Sequence, residues 1–131
     1  SISATEFLAA QATFNHANRA ASAPFEKYDV LLSPTLAQPP IKLGTLDQNA
    51  EGVDSAEWTR RVFEWCAFTP LFNSTGHPAV SLPLHWTAGG LPVGMQFAGR
   101  MNDEATLIRL AAQLEEAQPW AARRPPVCYA G

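Results

Sequence analysis

Apolar residues along this chain follow two rhythms, and the points where one gives way to the other divide it into elements. Phe7, Ala10, Phe14, Ala17 and Ala21 recur at helical spacing, with Gln11, Asn15, Asn18 and Arg19 on the other side. Ser3 and Glu6 stand at capping-box spacing before them, and Pro24 cannot continue a helix. A helix is therefore predicted over about residues 4 to 22. Asp29 to Ser33 has a continuous apolar middle, Val30-Leu31-Leu32, which suits a strand covered on both faces and stopped by Pro34. Residues 34 to 53 carry Pro39, Pro40, Gly44 and Gly52 and read as an irregular surface segment, either an ordinary connection or a rim over a pocket.

The helical rhythm returns with Trp58, Val62, Trp65 and Phe68 behind an Asp54/Glu57 cap, predicting a helix over about 55 to 68. At that spacing the aromatic residues are more often core than a cofactor site. Residues 69 to 78 are predicted to be a loop, punctuated by Pro70, Gly76 and Pro78. A strand over 79 to 86 follows, with Pro83 forcing a bulge, an edge or a break. After the turn Thr87-Ala88-Gly89-Gly90, bulky Val93, Met95 and Phe97 alternate with small or polar Gly94, Gln96 and Ala98 in a second strand. Asn102 or Asp103 caps a last helix whose inward stripe is Leu107, Leu110, Ala111 and Leu114, ended by Pro119. The tail Arg123-Arg124-Pro125-Pro126 is extended by composition. No repeat and no second domain is visible, so residues 1–131 form a single region of α/β class.

Charge narrows the partners. Nine Lys and Arg against 12 Asp and Glu give a formal net charge of -3, and the basic residues are scattered, which argues against nucleic acid. The apolar runs fall short of a membrane span, and no signal peptide is visible. Cys66 and Cys128 do not suggest a disulfide framework, and a reducing cytoplasm fits best. The chain opens Ser1-Ile2-Ser3 without a methionine, which raises the expectation of a truncated, cleaved or partial polypeptide.

Candidate chemistry within the chain is sparse. Ser74 and His77 are three apart, but in a Gly/Pro loop with no Gly-x-Ser-x-Gly elbow they read as a structural hydroxyl and histidine. Lys27 and Lys42, the two lysines, have no serine in a Gly-rich context beside them and read as surface residues, as does His16. His77, His85 and Cys66 match no zinc spacing, and no phosphate loop is present, so neither metal nor cofactor is expected. Glu115 and Glu116 read as solvated charges rather than an acid/base pair.

A longer pattern changes this picture. Asn73, Ser74 or Thr75, Gly76, Pro78, Ala79, Ser81 and Pro83 are followed by Gly90-Leu91-Pro92-Val93-Gly94-Met95-Gln96, Gly99 and Asp103-Glu104. In this order and spacing they resemble the amidase signature family, serine hydrolases of amide C–N bonds. Tyr28 to Thr35 resembles that family's strand ending in a Pro-Thr turn, and Glu104-Ala105-Thr106-Leu107 its C-terminal helix. Nearly the whole chain matches, but only the C-terminal part of the family. The family's catalytic Ser, bridging Ser and Lys lie upstream, so the resemblance implies no catalytic residue here.

The resemblance implies a mixed β-sheet between α-helical layers and a substrate cleft lined by the stretch before the matched Asn. The pocket candidates are Cys66, Phe68, Thr69, Phe72 and Asn73. Family members that release ammonia from glutamine carry an acidic residue seven positions before that Asn, where this chain has Cys66. A thiol cannot hold an ammonium group at neutral pH. The resemblance therefore implies a small-molecule amide of apolar or linear aliphatic type, cut by a complete enzyme of which this chain is an inactive C-terminal portion. Its sheet would need the missing part, or self-association, for completion. Two alternatives stand beside this: a non-catalytic module that pairs its sheet edge with a partner, and an ammonia-releasing subunit of a tRNA-dependent amidotransferase.

Overall fold

The computed structural model describes residues 2–125. Pro126 and Cys128 lie outside them. Helix α1 is Ala4–Ser22, with the Ser3–Glu6 capping box formed in both directions, and a 3₁₀ turn, Ala23–Glu26, follows it. Strand β1 is Val30–Pro34, helix α2 Ser55–Trp65, helix α3 Thr69–Thr75, strand β2 Ala79–Trp86, strand β3 Pro92–Gly99 and helix α4 Glu104–Ala117. Asp54 and Asp103 accept from backbone N–H groups at the starts of α2 and α4, as their positions in the sequence predict.

The three strands form one antiparallel sheet in the order β1-β3-β2. Hairpin β2–β3 turns at Thr87–Gly90, where Gly90 takes a φ of 82°. The alternation in β3 decides what each face receives. Phe97, on the bulky face, packs with Leu82 against Leu107 of α4. Ala98, on the small face, is fully buried beneath Phe25 and Phe72. The sheet thus lies between α4 on one side and the 3₁₀ turn with α3 on the other. The register shifts between Pro83 and His85, and β2 is an edge strand, so two of the outcomes open to a strand proline occur together.

Four expectations need correction. The loop predicted over 69 to 78 holds α3, because Pro70 falls within the first turn, where its missing N–H costs nothing. Gly76, at φ 75°, then closes the helix as a left-handed C-cap. The helix predicted to reach 68 stops at Trp65, since Cys66 leaves helical geometry at φ -102°, ψ 43°. Leu32 of β1 is 61% exposed rather than covered on both faces, because α4 packs on Leu82 and Phe97 of the other two strands and leaves Leu32 uncovered. The stripe of α1 is uncovered as well: Phe7 and Phe14 are exposed, and the helix buries no residue. Helix α2 also buries none; its Trp58 Nε1 donates to Leu46 O at 3.1 Å and its Trp65 O accepts from Ala37 N at 2.9 Å, so it lies on the irregular segment.

Candidate functional site

Residues Ser33, Ser81 and Gln96 come from three strands, yet the register sets them side by side. Ser33 and Ser81 both pair with Gln96, and directly paired residues in an antiparallel sheet share a face. That is the small-residue face, opposite α4. Gln96 is buried there and its Nε2 donates to Ser33 Oγ at 3.3 Å. Thr35, one residue past β1, comes down on the same face, and its Oγ1 lies 2.5 Å from Ser81 Oγ.

Where α3 crosses this polar strip it leaves a cavity of about 250 Å³. Three of the five sequence candidates line it: Thr69, Phe72 and Asn73, presented by α3 at the i and i+3/i+4 spacing of one helix face. Phe72 is buried edge-on against Phe25, their ring centroids 6.5 Å apart, while Asn73 is exposed. Thr35, His77, Ala79, Val80, Ser81 and Gln96 complete the lining. Cys66 and Phe68 are half-buried in the corner between α2 and α3 and are not part of this lining. The Cys66 N–H donates to Val62 O at 2.8 Å, closing α2.

Sequence reasoning placed Thr35, Ser81 and Gln96 within motifs but not in the pocket. The available signal was the alternation of β3: Gly94 and Gln96 share the small face, and that face alone leaves room for a guest.

No nucleophile–base pair serves this cavity. Ser74 Oγ donates to Pro70 O at 2.8 Å and does not meet His77. The histidine instead contacts Ser22, with 2.9 Å between Nε2 and Oγ. This pair is structural. His77 is 8% exposed and stacks on Phe25 at 4.2 Å, and its Nδ1–H donates to Gly99 O at 3.0 Å. Ser22 Oγ also lies 3.0 Å from Asn18 O, and Asn18 Nδ2 donates to Ser74 O at 3.0 Å. Together these bonds fasten the end of α1 to α3 and β3.

The site is electrically quiet. The strong charge interactions lie elsewhere, on α2, where hydrogen bonds from Arg60 and then Arg61 hold the Glu57 carboxyl at about 2. Among the described residues no group of three or more His, Cys, Asp or Glu is placed to hold a metal ion. No described helix is long and apolar enough to cross a membrane.

A model of the amidase family matches residues 2–108. The protein named "Putative amidase AmiC" of Mycobacterium leprae (strain TN) is 48% identical over 97 residues, which are 74% of this chain and 20% of that protein. The structure of 6-aminohexanoate cyclic dimer hydrolase superposes with a TM-score of 0.86 at 33% identity, over 95% of this chain and 27% of that one. A bacterial aryl acylamidase of the amidase signature family superposes with a TM-score of 0.71 at 30% identity, over 95% of this chain and 26% of that one. The chain spans about a fifth of the length of the curated relatives it matches.

Proposed function

The chain belongs to the amidase family, and we propose that it is the C-terminal portion of an amide-bond hydrolase, supplying scaffold and one wall of the substrate pocket. The observation that carries this reading is the cavity between α3 and the small-residue face of the sheet. It brings Thr69, Phe72 and Asn73 together with Thr35, Ser81 and Gln96, and no Asp, Glu, Lys or Arg lines it. Cys66 and Phe68 stand outside this lining, in the α2–α3 corner. In this reading the reacting groups stand on polypeptide outside these 131 residues. There a serine attacks the amide carbonyl, a bridging serine passes its proton toward a lysine base, and backbone N–H groups hold the oxyanion. A reducing cytoplasm suits the sparse cysteines.

An uncharged wall suits an amide flanked by apolar groups. The names of the two structural neighbours, a 6-aminohexanoate cyclic dimer hydrolase and an aryl acylamidase, point to substrates of that kind for those proteins. Glutamine would bring an ammonium group for which the cavity has no counter-charge, so release of ammonia for transamidation is the weaker reading.

Two measurements test the proposal. The purified 131-residue chain, given an anilide, is expected to release no aniline, and turnover would overturn the assignment of catalysis to other polypeptide. The intact mass of the protein from its native source is expected several-fold above 14.2 kDa. A mass equal to these residues would favour a non-catalytic module that pairs through the β1 edge, where Leu32 is open to solvent.

A further inference from the structure

The Thr35–Ser81 hydroxyl pair borders a second cavity as well as the first. This one, of about 440 Å³, extends from the pair along Leu36, Pro39, Pro40 and Val93, with Gly94 in its wall. The pair is therefore the partition between a largely apolar chamber and the chamber that holds Asn73 and Gln96.

Its geometry is fixed by the backbone. Thr35 N–H donates to Gly94 O at 2.9 Å. A Cβ on Gly94 would lie 2.7 Å from both hydroxyl oxygens, so only glycine lets the two close over the strand. One O–H is used between the hydroxyls, which leaves one O–H donor and several lone pairs facing outward. An amide can use both, its C=O accepting the free O–H and its N–H donating to a hydroxyl oxygen. A carboxylate or an ammonium group finds no counter-charge there, because neither chamber is lined by Asp, Glu, Lys or Arg. The one histidine in the lining, His77, has both ring nitrogens engaged.

We propose that Thr35, Ser81 and Gly94 form a divider that seats the amide group of an uncharged substrate, with the substrate's apolar arm in the 440 Å³ chamber, and so select against charged amides. The inference rests on the reading of this chain as a substrate wall of an amide hydrolase.

Titration of the ¹⁵N-labelled chain with hexanamide, hexanoate and glutamine tests it. Hexanamide is expected to shift the backbone signals of Thr35, Val93 and Gly94 saturably, while hexanoate and glutamine at the same concentrations leave them in place. Thr35→Val is expected to weaken hexanamide binding about three- to tenfold, the usual worth of one hydrogen bond. Gly94→Ala forces the pair apart and is expected to abolish the response. It can also disturb strand pairing, so Thr35→Val is read beside it. Equal shifts from glutamine or hexanoate would overturn the selection. Hexanamide acting only on Thr69 and Asn73 would overturn the divider and leave the substrate wall standing. Hexanamide acting on neither chamber would remove both.

Discussion

Gly99 and Leu107 meet where β3 runs out and α4 begins, and their fit can be tested by enlarging one and shrinking the other. A Cβ on Gly99 would lie 3.2 Å from Leu107 Cγ and 3.4 Å from each δ-methyl. Gly99 has no left-handed φ, so alanine there is strained only by this contact. Overpacking a filled site costs about 1–3 kcal/mol. Leu107 is 4% exposed, in a cluster with Leu82 and Phe97. Leu107→Ala removes three carbons, each about 0.8 kcal/mol of transfer free energy, and the cavity left behind brings the loss to about 3 kcal/mol. The atoms removed are those the new Cβ would strike. Gly99→Ala added to Leu107→Ala should therefore cost nothing further, a coupling of about 1–3 kcal/mol between the two changes. Urea unfolding of the parent and the three variants, followed by far-UV circular dichroism at a common slope, measures it. Losses that simply add would refute the contact, and a neutral Gly99→Ala would refute the overpacking.

Two further outcomes follow from other parts of the fold. His77→Ala removes a ring stacked on Phe25 and takes the Nδ1–H donor from Gly99 O. It should cost about 2–4 kcal/mol in thermal or urea unfolding, and an unchanged midpoint would deny the histidine its structural role. Glu57 is held at about 2 by Arg60 and Arg61, below the 4.5 of a free glutamate. Its contribution to stability is therefore complete above about 4.5 and is lost as pH falls through about 2. Helicity of α2 should fall in acid over that window, and Glu57→Gln should remove this part of the pH dependence by lowering neutral-pH stability toward the level the parent shows in acid. An acid profile identical in the variant would place the transition on other groups.

How far the sequence could be read depended on the range of the interaction involved. The caps at Ser3, Asp54 and Asp103 were legible because an N-cap bond reaches only three residues along the chain. The two faces of β3 were legible because alternation is local too. Helix α3 was not, since Pro70 and Gly76 serve equally well as the punctuation of a loop or as the start and stop of a short helix. What decides between them is Phe72, drawn onto Phe25 and Ala98 from distant parts of the chain. For the same reason the stripe of α1 does not mark a core, whereas that predicted for α2, Trp58, Val62, Trp65 and Phe68, is half-buried. Helical spacing says which residues share a face, but only a partner surface makes that face a core, and Phe7 and Phe14 of α1 stay exposed among the described residues.

The polar site is a consequence of the apolar side of the sheet. Thr35, Ser81 and Gln96 lie far apart in sequence and share a face only through the pairings Ser33↔Gln96↔Ser81. A slip of one residue would exchange the faces of a strand. Gln96 would then point at Leu107 with no partner in reach, and Phe97 would leave the core for the cavity. Burying an unpaired amide while exposing a phenylalanine costs several kcal/mol by any reckoning, roughly 2 for each of the two errors. Leu82, Phe97 and Leu107 thus fix the register that gathers the hydroxyls and amides opposite them. Residues that never touch a substrate decide which residues can, so core substitutions on the α4 side should alter binding in the cavity only when they alter strand register.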